Sequence, residues 1–358
     1  MRIGLFGFPK TGKSTLFRLL TGGAPPIHGG RGEAQIGVTR VPDPRLDRLA
    51  QMYRPKRVVP ATVEYLDLVG VEKGEAASVL PLEQLRTTDA LAHVVRAFDN
   101  ETVPHAEGDT DPARDAATME TELILADHSI AERRIEKLLP LVMKANRDED
   151  KQELELMKKA LSNLEREVPL RDVEFTEQER LRLRGFTFLS QKPLLIVVNA
   201  DESDAARLAE GAAAFGLESF VERRATGVVA LSAKIEEEIA QLAPADAGAF
   251  RSDLGIREPA LDRMIRASYE LLGQISFFTV GEDECRAWTI GRQTTARSAA
   301  GVIHSDIEKG FIRAEVVAYD DLIAAGSWSA ARERATLRLE GRDYILEDGD
   351  ISHFRFNV

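Results

Sequence analysis

The 358-residue chain is short of the features that mark a secreted, membrane-bound or metal-clustering protein. It has a single cysteine, Cys285, so no disulfide can form within the chain, which suits a reducing cytoplasm. No apolar run approaches the ~18 residues that a membrane span needs. The six histidines are scattered, without the spacing of a metal site. No long repeat and no low-complexity tract is present. Positive charge is in the minority: 47 Lys and Arg stand against 59 Asp and Glu, a net charge of −12. That balance excludes a general nucleic-acid coat and leaves room only for local basic patches. The opening MRIGLFGFPK lacks the pattern of a signal peptide and runs straight into a glycine-bearing loop.

That loop is the most specific feature of the chain. Gly7 to Ser14 reads GFPKTGKS, a complete G-x-x-x-x-G-K-S phosphate-binding loop. The apolar run Ile3 to Phe6 precedes it, and a helix is expected over Lys13 to Thr21. Gly7 and Gly12 let the backbone curl, so that the amides of Lys10, Thr11, Gly12, Lys13, Ser14 and Thr15 can converge on phosphate oxygens. Lys13 is placed to reach the β- and γ-phosphates, Ser14 offers its hydroxyl to Mg²⁺, and the following helix turns its positive end toward the anion. Further on, Asp67-Leu68-Val69-Gly70 ends a second apolar run. Asp67 is expected to hold the Mg²⁺ water shell and Gly70 to bring its N–H to the γ-phosphate.

The base-binding positions depart from those of a guanine reader. GTPases carry N-K-x-D after a strand, whereas this chain has Asn199-Ala200-Asp201-Glu202. Glu202 is too long for the bidentate contact an Asp makes with guanine, and Ala200 has no stem to lay over the base. Asn199 can still address a purine, so guanine loses its specific partner and adenine loses nothing. Ser232-Ala233-Lys234 follows the next strand and is placed as a third base-contacting loop acting through its backbone.

With 44 % hydrophobic residues, a chain of this length is expected to fold as more than one domain. Strand-like runs at Val63–Leu68, Ala90–Ala97, Leu194–Val198 and Gly227–Leu231 alternate with helical patterns. The expected class is α/β with a doubly wound, mostly parallel sheet. Between about Asp127 and Lys192 the alternation breaks. There Ile135, Leu138, Val142 and Ala145, then Leu154, Met157, Leu161, Leu164 and Val168, form narrow apolar stripes around the polar NRDEDK. An antiparallel helical hairpin, projecting as a coiled coil, is the expectation. From about Gly273 short runs at Ile275–Val280, Arg286–Ile290, Phe311–Val317, Tyr344–Leu346 and His353–Phe356 indicate a small α+β domain.

The order of GFPKTGKSTLF, VPDPRLDRL, PKRVVPATVEYLDLVG, HVVRAF, NADE, LSAKIEEEI, RAWTIG, IEKGFIRAEVVAYDD and EGRDYILEDGDISHFRFNV resembles the YchF / Obg-like ATPases from end to end. The resemblance implies a P-loop NTPase domain over 1–126 and 191–272, a coiled-coil insert over 127–190, and a C-terminal β-grasp (TGS) domain over 273–358. It implies ATP preferred over GTP, association with ribosomes, a cytoplasmic location, and nucleic acid met only as ribosomal RNA. Phe98 matches the family's aromatic that packs on adenine, and Asn199 its adenine-reading Asn. Three departures stand out. Lys10 and Thr11 replace the Asn and Val of the family loop. Arg31 stands where the switch Thr closes on Mg²⁺. The Gly-rich second switch is compressed. Val71 after Gly70 is no departure, since the family also has an apolar residue there in place of a water-positioning Gln.

The expected function is a slow Mg²⁺-dependent ATPase serving translation as a switch. Its catalytic groups are Lys13, Gly70 and Lys10, the last as a built-in substitute for the monovalent cation that the family's Asn is suited to hold. Two alternatives remain open: a non-hydrolysing, nucleotide-regulated binding module, and a conventional GTPase. The base-site argument generates the first test. ATP should bind at least as tightly as GTP in side-by-side titrations, and GTP binding tenfold tighter would overturn the adenine reading.

Overall fold

The computed structural model describes residues 1–23, 34–68, 82–100, 105, 108–145, 147–256 and 258–357. Among the described residues twelve strands run in chain order: β1 (Arg2–Phe6), β2 (Gln35–Arg40), β3 (Arg57–Val59), β4 (Thr62–Asp67), β5 (Ala90–Ala97), β6 (Leu194–Ala200), β7 (Thr226–Leu231), β8 (Gln274–Thr279), β9 (Glu284–Gly291), β10 (Phe311–Val317), β11 (Arg338–Glu340) and β12 (Ile351–Phe356). They form two six-stranded sheets, in the orders β2-β4-β1-β5-β6-β7 and β11-β10-β12-β8-β9-β3. The chain divides into two units, Met1–Val38 with Glu64–Leu271, and Thr39–Val63 with Leu272–Val358.

The first unit holds the parallel sheet. β1 pairs in parallel with β4 and β5, β5 with β6, and β6 with β7. Every residue of β6 is buried, as a strand covered on both faces requires. The helix Pro112–Ala145 starts well before the expected hairpin, because its first half serves the sheet. Ala116, Met119 and Leu123 pack with Phe6, Leu91 and Ile196 of the sheet core. Ile124, Ala131 and Leu138, seven residues apart, belong instead to a second cluster with Leu154, Met157, Ala160 and Leu164. One helix therefore passes out of the sheet core into a helical pair. Its partner is Asp148–Leu164, whose first turn carries Asp148, Glu149 and Asp150. These acids complement the helix dipole as well as being solvated. The partner helix ends before Val168, so the second stripe is shorter than its sequence pattern suggests.

The second unit has a mixed sheet. β8 with β9, β10 with β12 and β10 with β11 are antiparallel, while β12 with β8 and β3 with β9 are parallel. Its core sets Ala296, Ala299 and Ala300 of the helix Ala296–Ile303 against Phe277, Ile290, Val316 and Phe354. The run Tyr344–Leu346 makes only an isolated bridge, Ile345 to Thr295. β11 is a strand that the sequence pattern does not announce.

Thr39–Val63 falls within the first domain in the sequence division but packs with the second unit. The reasons are local. β3 adds an edge strand with Val58 opposite Cys285. Arg45 bridges Asp43 at 2.9 Å and Asp348 at 2.8 Å. Lys56 pairs with Asp283 at 2.8 Å.

Within the first unit, Asp127 ties three segments. Its carboxylate accepts from the amides of Leu189 (2.9 Å) and Ser190 (2.6 Å), and Arg86 Nη1 lies 3.2 Å away. Asp127 is fully buried and Arg86 nearly so. Burial pushes the Asp127 carboxyl above its ordinary range, against the pull of those amides and of Arg86. Asp127→Ala strands a buried guanidinium and two amides and should cost about 3–5 kcal/mol in urea unfolding. A loss under about 1 kcal/mol would show that the three segments hold together without it.

Candidate nucleotide site

The phosphate loop leaves the end of β1 and enters the helix Lys13–Leu20. Two glycines are obligatory for steric reasons. At Gly7 (φ 140°) a Cβ would stand 2.5 Å from the carbonyl oxygen of Val94. At Gly12 (φ 95°) it would stand 2.3 Å from Asn199 Nδ2. Lys10 also has positive φ, 65°, and its side chain is exposed. Three left-handed or glycine-only conformations within six residues curl the loop. Thr11 is buried, and its hydroxyl donates to the carbonyl of Phe8 at 3.2 Å. Gly12 caps the helix without a side chain, so no cap competes with an anion for the first-turn amides. Ser14 and Thr15 lie on that first turn, Ser14 exposed.

Lys13 folds back over the loop. Its Nζ donates to the carbonyls of Gly7 (3.1 Å) and Phe8 (2.6 Å). Burial lowers its pKa to about 8, opposed by the nearby Asp67 carboxylate. Asp67 ends β4 opposite Leu5 of β1 and is 3 % exposed. Burial raises its pKa, while a hydrogen bond from the Ser14 hydroxyl and the charge of Lys13 pull it down. Lys13, Ser14 and Asp67 thus form one cluster around a carboxylate short of counter-charge. A hydroxyl joined to a carboxylate is a pair of hard oxygen donors, the set a Mg²⁺ site takes.

Asn199 works differently from the sequence expectation. It is 5 % exposed, at the end of β6. Its Nδ2 donates to the carbonyl of Thr11 at 3.0 Å, and its Oδ1 accepts from the amide of Ala233 at 2.9 Å. The side chain therefore rivets the phosphate loop to the loop after β7. One Nδ2 hydrogen remains for a base. The Ala233 amide, expected to face the base, is committed to Asn199, and the Ser232 hydroxyl accepts from Ile235 as a helix cap at 3.4 Å. Ala200 lies in the hydrophobic core at 3 % exposure, so only its backbone can meet a ligand. Glu202 pairs with Lys234 at 2.7 Å, the third residue of Ser232-Ala233-Lys234.

Phe98 stands just beyond β5, beneath the Arg96 guanidinium at 4.6 Å, and its carbonyl accepts from Arg96 Nε at 2.8 Å. It lines a cavity of about 700 Å³ with Asp201, Asp204, Arg207 and Phe215. Asn199 and the phosphate loop do not line that cavity. Gly70, Val71 and Arg31 lie outside the described residues.

Two histidines passed over as scattered flank the loop. His93, opposite Phe6 in the sheet, stacks on that ring at 4.8 Å and is 1 % exposed. Burial, and secondarily Lys13, lower its pKa to about 3, which keeps it neutral. His105 meets Phe8 edge-on, ring centroids 6.4 Å apart, with Nε2 2.8 Å from Asp115 Oδ2. The clue to His93 is in the sequence: with Arg96 it interrupts the apolar run of β5.

The fold has close counterparts. The structure of the Schizosaccharomyces pombe YchF GTPase superposes with a TM-score of 0.87, at 30 % identity over 99 % of this chain and 97 % of that one. The "Ribosome-binding ATPase YchF" of Bacillus subtilis is 40 % identical over 362 residues, 99 % of each chain. The protein of the same name from Haemophilus ducreyi is 42 % identical over 366 residues, covering 100 % of this chain and 99 % of that one. This chain belongs to the YchF family. The family model YchF-GTPase C-terminal, "Protein of unknown function (DUF933)", matches residues 274–357. A model described as "50S ribosome-binding GTPase" matches residues 2–160. As a YchF-family chain it is a P-loop protein with a separate C-terminal unit. Among the described residues no helix is long and apolar enough to cross a membrane, and no three His, Cys, Asp or Glu groups cluster as metal ligands.

The depressed Lys13 pKa has a measurable consequence. In the free protein Lys13 loses its proton as pH rises through about 8. Bound phosphate favours the charged form and raises that pKa, so nucleotide binding above this point takes up protons and weakens as pH rises. Calorimetry at about pH 8.5 in buffers of different ionisation enthalpy should show net proton uptake, lost in Lys13→Ala. Zero uptake would mean that Lys13 is already charged in the free protein.

Proposed function

We propose that this chain is a Mg²⁺-dependent ATPase that binds ribosomes and acts in the cytoplasm as a slow switch. The observation that carries it is the meeting of the phosphate loop, the Ser14–Asp67 pair and Asn199 in one hydrogen-bonded assembly. The names of the relatives, ribosome-binding ATPases, supply the partner. Lys13 and the amides of residues 10–15 bind the phosphates. Ser14 and Asp67 would hold Mg²⁺, which would supply neutralisation of phosphate charge. Asn199 presents its remaining N–H to the base, and Phe98 offers a ring beside it. Glu202, engaged by Lys234, gives guanine no free carboxylate, which favours adenine. Lys10, exposed at the loop rim, brings a positive charge toward the phosphates in place of a monovalent cation.

Single-turnover hydrolysis tests the reading. Wild-type protein should hydrolyse ATP, Lys13→Ala should be slower by about 10²-fold or more, and exchange of K⁺ for Na⁺ should leave the rate unchanged. Glu202→Asp should raise GTP affinity; Ala200→Lys is unsuitable because Ala200 is a core position. Tight ATP binding without hydrolysis, with or without ribosomes, would instead support the nucleotide-regulated binding module, which the Arg31 substitution favours. A rate that rises strongly with K⁺ would remove the role given to Lys10.

A further inference from the structure

The second unit holds a cavity of about 340 Å³ that has no part in the nucleotide site. Its walls come from one face of the sheet and from the helices that cover it. Ser352, Phe354 and Phe356 alternate along β12 and so point to the same face. Phe354 packs there with Ala296, Ala299 and Ala300 of the helix Ala296–Ile303. The other side is closed by Ile303 at the end of that helix, Ile307 of the helix Ser305–Lys309 and Trp328 at the start of the helix Trp328–Glu333. Tyr53 joins them from the helix Pro44–Tyr53, which stops there as Arg54 turns left-handed (φ 49°) and Pro55 follows.

The chemistry of these walls is selective. Among the described residues no Lys, Arg, Asp or Glu lines the cavity, so a charged group entering it would lose its water without gaining a partner. Polar groups on the wall are few. Thr279 Oγ1 already accepts from Trp288 Nε1 at 2.9 Å, and His353 Nδ1 lies 3.5 Å from Glu315 Oε2. The hydroxyls of Tyr53 and Ser352 differ: both are shut off from water, and neither has a hydrogen-bond partner among the described residues. Ser352 is 3 % exposed, opposite Val316 of β10, at an inward position where an apolar residue would pack without stranding a hydroxyl. Burial raises the Tyr53 pKa, so its hydroxyl keeps its proton and stays a donor. Two free donors in an apolar, aromatic-walled pocket are the usual make-up of a small-molecule site.

We propose that this cavity binds a neutral, planar ring compound bearing a carbonyl oxygen, its ring against Trp328, Phe354 and Phe356 and its carbonyl on the hydroxyls of Tyr53 and Ser352. A carbonyl oxygen has two lone pairs and no hydrogen to give, so it matches a wall that offers two donors. The side-chain shifts usual on binding bring the shielded hydroxyls into reach. The cavity lies near the lower end of the size range of ligand sites, with room for one or two rings and no cation for a nucleotide's phosphates. Phe356, 44 % exposed, marks the side open to solvent. The ligand also ties Tyr53, in the segment Thr39–Val63, to the C-terminal part of the same unit, so binding stabilises that unit.

The test uses the full chain and three probes that share a ring: 3-acetylindole, 3-ethylindole and indole-3-carboxylate. The chain's tryptophans are Trp288 and Trp328, so nitrogen-15 labelling of tryptophan gives two indole N–H signals, told apart with Trp328→Phe. 3-Acetylindole should shift the Trp328 signal saturably and raise the urea midpoint. It should bind about tenfold tighter than 3-ethylindole, which lacks the carbonyl, and more tightly than the carboxylate. In Tyr53→Phe/Ser352→Ala the preference for the ketone over 3-ethylindole should vanish. The urea midpoint of that free variant should hold or rise, because two unpaired hydroxyls are gone. No shift of the Trp328 signal at low-millimolar 3-acetylindole would overturn the proposal. So would carboxylate or 3-ethylindole binding as tightly as the ketone, or displacement of the ketone by ATP. A double variant that keeps the preference would also overturn it, since the two hydroxyls would then serve the fold alone.

Discussion

The nucleotide site depends on one buried amide. Asn199 donates to Thr11 and accepts from Ala233, and so fixes two loops far apart in the sequence against each other. Both bonds are shielded from water, where leaving a partner unmet costs about 1–3 kcal/mol per group. The same side chain explains why residue 12 must be glycine, because Asn199 Nδ2 fills the space a Cβ would take. A residue first read as a base contact is therefore foremost a brace. Part of what it offers to binding is the shape it imposes on the phosphate loop.

Around that brace the site stores unbalanced electrostatics. Lys13 is buried enough to lose part of its hold on a proton, and Asp67 enough to gain some. In the proposed function each state would be relieved by what a nucleotide brings, anionic phosphate for Lys13 and a cation for Asp67. Neutral His93, packed behind Phe6 and Gly7, adds bulk without adding charge. A site so arranged is preorganised at some cost in stability, as expected where binding drives function.

The two units answer to different physics. The first is held by continuous apolar strands and by buried ties such as Asp127, which joins Arg86 to the segment at Leu189 and Ser190. The second is stitched along its edges by exposed and half-exposed ion pairs, Arg45 with Asp348 and Lys56 with Asp283 among them.

The sequence alone determined the phosphate loop, the parallel strand order of motifs, the helical pair and the family. These rest on local patterns: glycines at set spacing, apolar runs, and stripes at helical period. The adenine argument was also legible, since it needs only the lengths of Glu202 and Ala200. Tertiary structure alone decided that Thr39–Val63 joins the C-terminal unit, because strand pairing between β3 and β9 links residues more than two hundred positions apart. It alone turned Asn199 into a brace, put Ala200 in the core, committed the Ala233 amide, and set His93 and His105 beside the loop. Each of these is a matter of which distant groups meet. Spacing along the chain records local geometry, whereas burial and hydrogen-bond partners are settled only when the strands and helices close on one another.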